Sequence, residues 1–253
     1  MKLNDQVKSY WEKVPCGTDP EIVGKLKPLS REWFEQVEEY RYSIEPFIHS
    51  TAQFTCHRGK KILEIGVGAG TDHLQWARAG AHCYGVDLTD AAIQVTKEHL
   101  RLYGLKSTLR RVDAERLPFK SEFFDVVYSW GVIHHSEKPE LIIAEIKRVL
   151  KPGGIFIGMM YGRHSVVAFK YWLKHGLFKG RPWRTFTDVL WNHFESIGTK
   201  AYTMSELKKM FSDFKKFDGQ PIITWHDVSK WPGRISSLFP DKWGWFITLK
   251  AIK

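Results

Sequence analysis

The feature that most constrains this fold is an apolar run leading directly into three closely spaced glycines, within KILEIGVGAGTDHLQWA at residues 61–77. Such a run predicts a buried strand, and Thr71 and Asp72 after the glycines can cap a following helix. Glycines permit a sharp turn and the close approach of a ligand where a Cβ atom would collide. The stretch therefore predicts a strand, a glycine turn and a helix whose first N–H groups face whatever is bound.

The spacing of the glycines bears on the identity of the ligand. A dinucleotide-binding turn has its third glycine where this chain has Thr71, and it binds a pyrophosphate. Here Gly66, Gly68 and Gly70 follow an acidic residue, Glu64, and this pattern suits a cofactor without phosphates. Taken alone, the turn is equally typical of any α/β protein. The neighbouring segments must decide between the two interpretations.

Residues 60–161 alternate between predicted strands and helices with short links. Apolar runs predict strands at 81–87, 107–119, 123–135 and 153–161, and helical spacing predicts helices at 90–103 and 139–150. Such alternation favours an α/β fold with a parallel, doubly wound sheet, because right-handed crossovers leave few other topologies. Ligands of these sheets bind beyond the carboxyl ends of the strands. The glycine turn, Asp87, Asp113–Glu115 and Ser129–Gly131 all fall at those ends.

Two aspartates at these ends have the chemistry of a nucleoside site. Asp87 can accept hydrogen bonds from both hydroxyls of a ribose, and Asp113 can accept one from the exocyclic amine of adenine. The alternatives are a helix-capping role for Asp87, weakened because Asp90 can cap the next helix, and a solvated carboxylate for Asp113. Glu64 is predicted to brace the glycine loop or to bind an ammonium group through water.

The motifs LEIGVGAG, GVDLT, VDAERLPF, FDVVYSWGVIHH and RVLKPGG, in this order and spacing, resemble those of class I S-adenosylmethionine-dependent methyltransferases. They are most similar to the group typified by the ubiquinone/menaquinone C-methylases. The resemblance implies a Rossmann-like, mostly parallel seven-stranded sheet with an antiparallel last strand, for which 244–253 is the candidate, and S-adenosyl-L-methionine as the cofactor. It implies that the cofactor-binding residues are Glu64, Gly66, Gly68, Gly70, Asp87, Leu88, Asp113, Ala114, Ser129, Trp130 and Gly131.

The family motifs end at the cofactor and leave the methyl acceptor unassigned. Methyl transfer depends largely on positioning donor and acceptor in line, and a base is required only if the acceptor must lose a proton. His134 and His135 follow the fourth predicted strand, so either is a candidate base or part of the pocket wall. The predicted acceptor-binding residues are Tyr10, Trp11, His134, Tyr161 and Trp172.

The remaining segments predict additions to one methyltransferase domain over 1–253: an N-terminal arm and helix at 1–58, a helical cap insertion at 162–213 and C-terminal strands at 214–253. We expect the cap to lie over the cofactor crevice and to select the acceptor. Its aromatic residues alternate with Lys and Arg, which favours a hydrophobic or anionic small-molecule acceptor, or contact with an anionic membrane. A lid packed on the core, with ordinary solvated lysines, is the alternative.

The composition of the chain bears on its partners, its location and the presence of disulfides, metal sites or membrane spans. The net charge of +10 favours anionic partners, but the lysines are spread along the chain, as solubility alone would require. Three cysteines far apart in the sequence predict neither a disulfide framework nor a metal site, and they indicate a cytoplasmic location. No apolar run is long enough to predict a membrane span, and no leader is recognisable.

Two other functions stay open at this point. A nucleic-acid or protein methyltransferase is disfavoured, because Ser129-Trp130-Gly131-Val132 stands where enzymes that methylate planar nitrogens usually have Asn-Pro-Pro-Tyr, and no RNA-binding appendage is recognisable. The second alternative is a regulatory protein that binds the cofactor without catalysis. No obligate protein partner is predicted.

Overall fold

A sheet of seven strands forms the centre of the protein in the computed structural model, which describes residues 2–229 and 239–253. The strands are β1 (Lys61–Ile65), β2 (His82–Asp87), β3 (Thr108–Arg111), β4 (Phe124–Trp130), β5 (Leu150–Tyr161), β6 (Lys216–Ile222) and β7 (Phe246–Ile252). Their order across the sheet is β3-β2-β1-β4-β5-β7-β6. The first five strands pair in parallel, whereas β7 runs antiparallel to both β5 and β6. The predicted mostly parallel, seven-stranded fold is confirmed.

Helices cover both faces of this sheet. They are α1 (Leu3–Trp11), α2 (Pro20–Val23), α3 (Arg31–Ile44), α4 (Phe47–Ala52), α5 (Thr71–Arg78), α6 (Asp90–Leu102), α7 (Pro139–Val149), α8 (Val166–His175), α9 (Phe186–His193), α10 (Met204–Met210) and α11 (Trp225–Val228). In β1, Ile62 is buried in the apolar cluster on one face, and Leu63 and Ile65 are buried in the cluster on the other. A parallel strand that is buried on both faces has this continuous apolar character. None of the described helices is long and apolar enough to cross a membrane.

The strands β1 and β4 are neighbours in the sheet, and the strand order changes direction between them. From β1 the chain adds β2 and β3 toward one edge, and from β4 it adds strands toward the other edge. Connections on either side of this point run to opposite edges, so a crevice opens beyond the carboxyl ends of the two strands. The loops after β1, β2 and β4 all reach this crevice. The topology therefore brings together segments that are far apart in the sequence.

Several predicted boundaries were wrong for local reasons. The strand predicted at 107–119 ends at Arg111, and Asp113 then accepts the backbone N–H of Glu115 in a turn. The strand predicted at 123–135 ends at Trp130, because Gly131 has φ +75° and redirects the chain into a 3₁₀ turn. The fifth strand begins earlier than predicted, at Leu150.

The predicted cap segment 162–213 divides into two parts. Helices α8 and α9 pack against each other, whereas α10 buries Leu207 in the apolar cluster on one face of the sheet. The predicted C-terminal segment 214–253 contains β6 and β7, and its residues 230–238 lie outside the described part of the chain.

Candidate functional site

A cavity of about 340 Å³ lies beyond the carboxyl ends of the strands. Its wall comes from the loops after β1, β2 and β4, from the end of β5 and from the N-terminal segment. The sequence-predicted site residues that line it are Trp11, Gly66, Gly68, Asp87, Leu88, Asp113, Ala114, Trp130, Gly131, His135 and Tyr161. Those that do not line it are Tyr10, Glu64, Gly70, Ser129, His134 and Trp172.

The glycine turn provides space for a ligand at one side of this cavity. Gly66 has φ +82°, and a Cβ atom there would lie 2.2 Å from Val132 Cγ2. Gly68 has φ +52°, and a Cβ atom there would meet no protein atom within 4 Å. The first glycine is therefore required by packing. The space beside the second is open to a bound molecule, as the predicted cofactor requires.

Asp87 is held rigidly at the end of β2. Its Oδ1 accepts hydrogen bonds from Thr89 N at 2.9 Å and Thr89 Oγ1 at 2.8 Å, and its Oδ2 accepts one from Gly68 N at 3.2 Å. Burial raises the pKa of Asp87 although these hydrogen bonds oppose the rise. A carboxylate has about four acceptor positions, so capacity remains for the hydroxyls of a ligand. The cap of α6 is Thr89, which accepts Ala92 N, and not Asp90 as predicted.

Helix α1 covers the end of the cavity at which adenine was predicted. Asn4 Nδ2 donates to Asp113 Oδ2 at 2.9 Å and to Glu115 Oε1 at 2.8 Å. Val7, one turn further along α1, lines the cavity and is buried. The N-terminal arm therefore covers the cavity and is hydrogen-bonded to the predicted adenine-binding segment.

Asp72 was predicted to cap α5 but has a different role. It is buried and accepts hydrogen bonds from Arg41 Nε at 3.0 Å and Nη2 at 2.6 Å, from Tyr42 Oη at 3.0 Å and from Tyr128 Oη at 2.8 Å. Burial alone would raise the pKa of Asp72, but the Arg41 charge and these hydrogen bonds outweigh it and lower the pKa. The N-cap of α5 is Gly70, without a side-chain cap. This network holds Arg41 at the cavity wall.

Glu64 points away from the cavity, contrary to its predicted place at the cofactor. Its Oε2 lies 2.9 Å from His73 Nδ1 on α5, and both side chains are buried. Burial and the nearby charge of Asp72 raise the pKa of Glu64 well above its usual value, and burial lowers the pKa of His73 to about 4. The hydrogen bond between the two side chains fixes α5 against β1.

Gly70 and Ser129 also lie outside the cavity and affect its shape indirectly. A Cβ atom on Gly70 would lie 2.9 Å from Thr96 Cγ2 on α6, so a side chain there would separate the turn from that helix. Ser129 Oγ donates to Ile65 O at 3.1 Å inside the sheet. Both residues shape the glycine turn but do not reach the cavity.

His135 is the candidate base that reaches the cavity. Its Nδ1 lies 3.0 Å from Ser196 Oγ and 3.1 Å from Thr199 Oγ1. The Thr199 hydroxyl donates its own proton to Ser196 O at 2.6 Å, so toward His135 it must accept. We infer that the proton of neutral His135 is on Nδ1, which leaves Nε2 as an acceptor. Nε2 lies 3.3 Å from Glu195 Oε2, without hydrogen-bond alignment.

His134 lies behind the wall, so its assignment as a base or acceptor-binding residue is corrected. The side chain is fully buried, and neither ring nitrogen has a hydrogen-bond partner in the described structure. Its ring packs on Tyr161, with the ring centroids 3.8 Å apart. Burial lowers the pKa of His134 well below its usual value, and the ring is therefore neutral.

Two of the predicted acceptor-binding aromatics are also outside the cavity. Tyr10 is half exposed and packs edge-on against Trp11, which itself lines the cavity and contacts His135. Trp172 Nε1 donates to Arg184 O at 2.8 Å and thereby ties α8 to the segment before α9. Both residues therefore support the structure around the site.

Four charged residues that the sequence reasoning did not select line the cavity: Asp19, Arg41, Glu45 and Glu195. Glu45 follows α3, and its Oε2 accepts Trp130 Nε1 at 2.8 Å. Burial raises the pKa of Glu45, and Arg41, whose Nη1 lies 3.8 Å from Glu45 Oε1, opposes the rise. Glu195 follows α9 and accepts the Tyr161 hydroxyl at 3.1 and 3.2 Å. Glu45 and Glu195 thus add two carboxylates to the wall besides the aspartates predicted to bind the cofactor.

Comparison with known proteins identifies the domain. Residues 63–158 match a family model described as "Methyltransferase domain". A ubiquinone biosynthesis O-methyltransferase from Nitrosococcus oceani is 31% identical over 143 residues, which are 54% of this chain and 59% of that protein. The protein of the same name from Hahella chejuensis is 33% identical over 138 residues, which are 52% of this chain and 57% of that one. The chain thus matches less than two thirds of the length of these relatives.

The solved structures show the same fold. Magnesium protoporphyrin IX methyltransferase from Synechocystis PCC 6803, with bound SAH, superposes with a TM-score of 0.61 over 100% of both chains at 15% identity. A putative methyltransferase from Bacillus halodurans superposes with a TM-score of 0.57, covering 81% of this chain and 98% of that one at 18% identity. Residues 63–158 therefore match the methyltransferase domain family, and together with the glycine turn and the strand order these matches confirm the resemblance found in the sequence.

Proposed function

We propose that this protein is an S-adenosylmethionine-dependent methyltransferase that acts on a small-molecule acceptor. The observation that carries the proposal is the meeting of Gly66, Gly68, Asp87, Asp113 and Gly131 around one cavity at the strand ends. The names of the curated relatives, which act in ubiquinone biosynthesis as O-methyltransferases, support a small acceptor. Apart from the net charge of +10, no observation on the described residues favours a nucleic-acid acceptor or a regulatory role without catalysis.

The residues around the cavity fit the cofactor. The open space beside Gly68 and the unused acceptor capacity of Asp87 suit a nucleoside, and Asp113 and Ala114 suit the adenine end. Arg41 lines the cavity and can still donate to the carboxylate of the methionyl part, although its pair with Asp72 balances most of its charge. When bound, S-adenosylmethionine supplies a methyl group on a positively charged sulfur.

The direct test is transfer of radiolabelled methyl groups. The protein is incubated with S-adenosylmethionine carrying a labelled methyl group and with panels of candidate small molecules, and each labelled product is identified. A labelled small molecule that depends on intact Asp87 supports the proposal. Labelling of nucleic acid or protein at a comparable rate would replace it with the alternative acceptor class.

His135 is the proposed proton acceptor if the acceptor molecule is a hydroxyl or an amine. Ser196 and Thr199 fix its Nδ1, which leaves Nε2 to receive a proton beside Glu195. Trp11 packs on the edge of the ring and limits access of water. His135 therefore has the orientation that a general base requires.

We predict opposite outcomes for the two histidines. His135→Ala is expected to lower turnover on the order of 100-fold or more while the affinity for cofactor stays nearly constant, because general bases contribute about that much. His134→Leu is expected to retain turnover and folding stability, since it removes two buried ring nitrogens that lack partners. Steady-state rates and cofactor titrations of both variants check this. A larger loss of turnover in His134→Leu than in His135→Ala would reverse the assignment.

We further propose that the cap contacts an anionic membrane surface. Phe178 and Trp183, in the link between α8 and α9, are 76% and 75% exposed. The exposed cations Lys174, Lys179 and Arg181 flank them. Exposed aromatic residues among cations are typical of segments that bind the interface of an anionic bilayer. This interpretation also accounts for the alternation of aromatic and basic residues seen in the sequence.

Vesicle sedimentation tests the membrane contact. The protein is expected to bind vesicles of phosphatidylglycerol and phosphatidylcholine at low salt, to be released by high salt, and not to bind phosphatidylcholine alone. The double variant Phe178→Ala/Trp183→Ala should lose most of the binding. Leu141→Ala, which removes an exposed apolar side chain from α7, is the control and should bind normally. Equal binding by the double variant and the wild type contradicts this proposal.

A further inference from the structure

We infer that the acceptor carries no negative charge at its reacting end, and that it binds through O–H or N–H groups to the carboxylates of Glu195 and Glu45. The inference rests on the proposed function, because it concerns the acceptor side of the same cavity. It departs from the anionic acceptor that the sequence allowed. The overall charge of +10 suggested that choice, but the charges inside the cavity have the opposite sign.

The carboxylates in the wall outnumber its cations. Asp19, Glu45 and Glu195 line the cavity in addition to the two aspartates assigned to the cofactor. Among the described lining residues, Arg41 is the only lysine or arginine. It forms a bidentate pair with buried Asp72, so most of its charge is already balanced. The residues of this wall would therefore repel an anionic acceptor.

Two hydrogen-bond donors of this wall are already used by its carboxylates. The Tyr161 hydroxyl donates to Glu195, and Trp130 Nε1 donates to Glu45. The carboxylates keep unused acceptor positions, since each has about four. A ligand with O–H or N–H groups can fill those positions, whereas a ligand with only acceptor oxygens cannot.

His135 gives an independent indication that a donor is missing here. Its Nε2 is buried, has no hydrogen-bond partner in the described structure and lies 3.3 Å from Glu195 Oε2. With the proton of His135 on Nδ1, two acceptor atoms are adjacent with no proton between them. Buried polar atoms in native proteins normally have partners. An O–H or N–H group of the acceptor, lying to the side of the pair and within hydrogen-bond distance of both atoms, would share its proton with Glu195 and His135.

The backbone holds Glu195 in an unfavourable conformation. Its φ is +48°, in the left-handed region that is unfavourable for a non-glycine residue. Such strain is concentrated at sites where a side chain must be aimed. Helix α9 ends two residues earlier, at His193, so the strained residue directs its carboxylate from the cap into the cavity.

The test measures the electrostatic potential inside the cavity with charged thiol reagents. Cys16 lines the cavity and is exposed, whereas Cys56 is exposed outside it and Cys83 is buried. The folded full-length chain is treated with methanethiosulfonate reagents carrying a trimethylammonium, a hydroxyl or a sulfonate group, and the rates at Cys16 and Cys56 are determined by peptide mass spectrometry. At one thiol, the rate with the trimethylammonium reagent is divided by the rate with the sulfonate reagent. This ratio does not depend on the pKa of the thiol, because the same thiol reacts in both cases.

We expect this ratio to be roughly tenfold higher at Cys16 than at Cys56 at low salt. Glu195→Gln should lower the ratio at Cys16 about threefold or more without changing it at Cys56. The matched control Glu98→Gln removes the same charge from the outer face of α6, where Glu98 pairs with Arg101, and should leave both ratios unchanged. Equal ratios at the two cysteines, or a Cys16 ratio unaffected by Glu195→Gln, would overturn the inference. Labelling requires no methyl transfer, so failure of cofactor binding would instead overturn the proposed function.

Discussion

Replacing Asp72 with asparagine is expected to lower the free energy of unfolding by about 3–5 kcal/mol, because Arg41 would remain largely buried without its counter-charge. The side chain of Asp72 is 2% exposed and that of Arg41 is 20% exposed, so solvent screens the pair weakly. Two tyrosine hydroxyls would also lose a charged acceptor. The network joins α3, α5 and β4, and its loss should loosen the wall of the cavity as well.

Urea unfolding of both proteins at neutral pH checks the size of this effect. Asp213→Asn is the control, since Asp213 has an 81% exposed side chain in a surface ion pair, and it should change stability by less than about 0.5 kcal/mol. A loss below about 1 kcal/mol in a folded Asp72→Asn protein would contradict the role assigned to this network.

The same pair predicts how the effect depends on pH. Folding lowers the pKa of Asp72 below its ordinary value of 3.8. Its stabilising contribution is therefore fully present above that value and is lost as the pH falls through the lower pKa of the folded state. We expect the difference in stability between wild type and Asp72→Asn to be constant near neutral pH and to shrink below pH 3.8. A difference that grows on acidification would have the wrong sign.

Asp87→Ala is expected to weaken cofactor binding by a factor of roughly 100 or more. Two ribose hydroxyls would lose a charged acceptor, each hydrogen bond being worth about 1.5–3 kcal/mol. The variant also removes the acceptor of Gly68 N, which orders the glycine turn. Calorimetric titration with S-adenosylhomocysteine measures the change.

The control for this variant is Asp90→Ala, three residues away. Asp90 lies near Arg111 on the surface, 3.2 Å from its Nε, and does not line the cavity. Cofactor affinity should change little in that variant. An unchanged affinity in folded Asp87→Ala would remove Asp87 from the proposed site.

The cofactor side of the cavity was largely predictable because it is encoded locally. Apolar runs followed by Gly66 or Asp87 mark the ends of strands, and the doubly wound topology brings all such ends to one edge. Two of the three glycines predicted in the turn, Gly66 and Gly68, and both predicted aspartates line the cavity. Periodicity does not reveal on which face of a strand a residue lies when both faces are buried, and Glu64 was therefore placed wrongly.

The acceptor side was only partly predictable, because most of its parts come from distant segments. Arg41 and Asp72 are 31 residues apart, and Asp72 stands where a helix cap is ordinarily found. His135 and Ser196 are 61 residues apart, and Glu195 lies in a segment of the cap without a recognisable motif. His134 and His135 are adjacent in sequence, but the 3₁₀ turn after Gly131 points one into the core and the other toward the cavity. Only the tertiary structure separates them.

The most direct measurement is a calorimetric titration of the unmodified chain with S-adenosylmethionine and, separately, with NAD. We expect S-adenosylmethionine to bind with micromolar affinity and NAD to give no binding heat, because Thr71 replaces the third glycine of a pyrophosphate-binding turn. Micromolar binding of NAD without any response to S-adenosylmethionine would contradict the proposal that this protein is an S-adenosylmethionine-dependent methyltransferase.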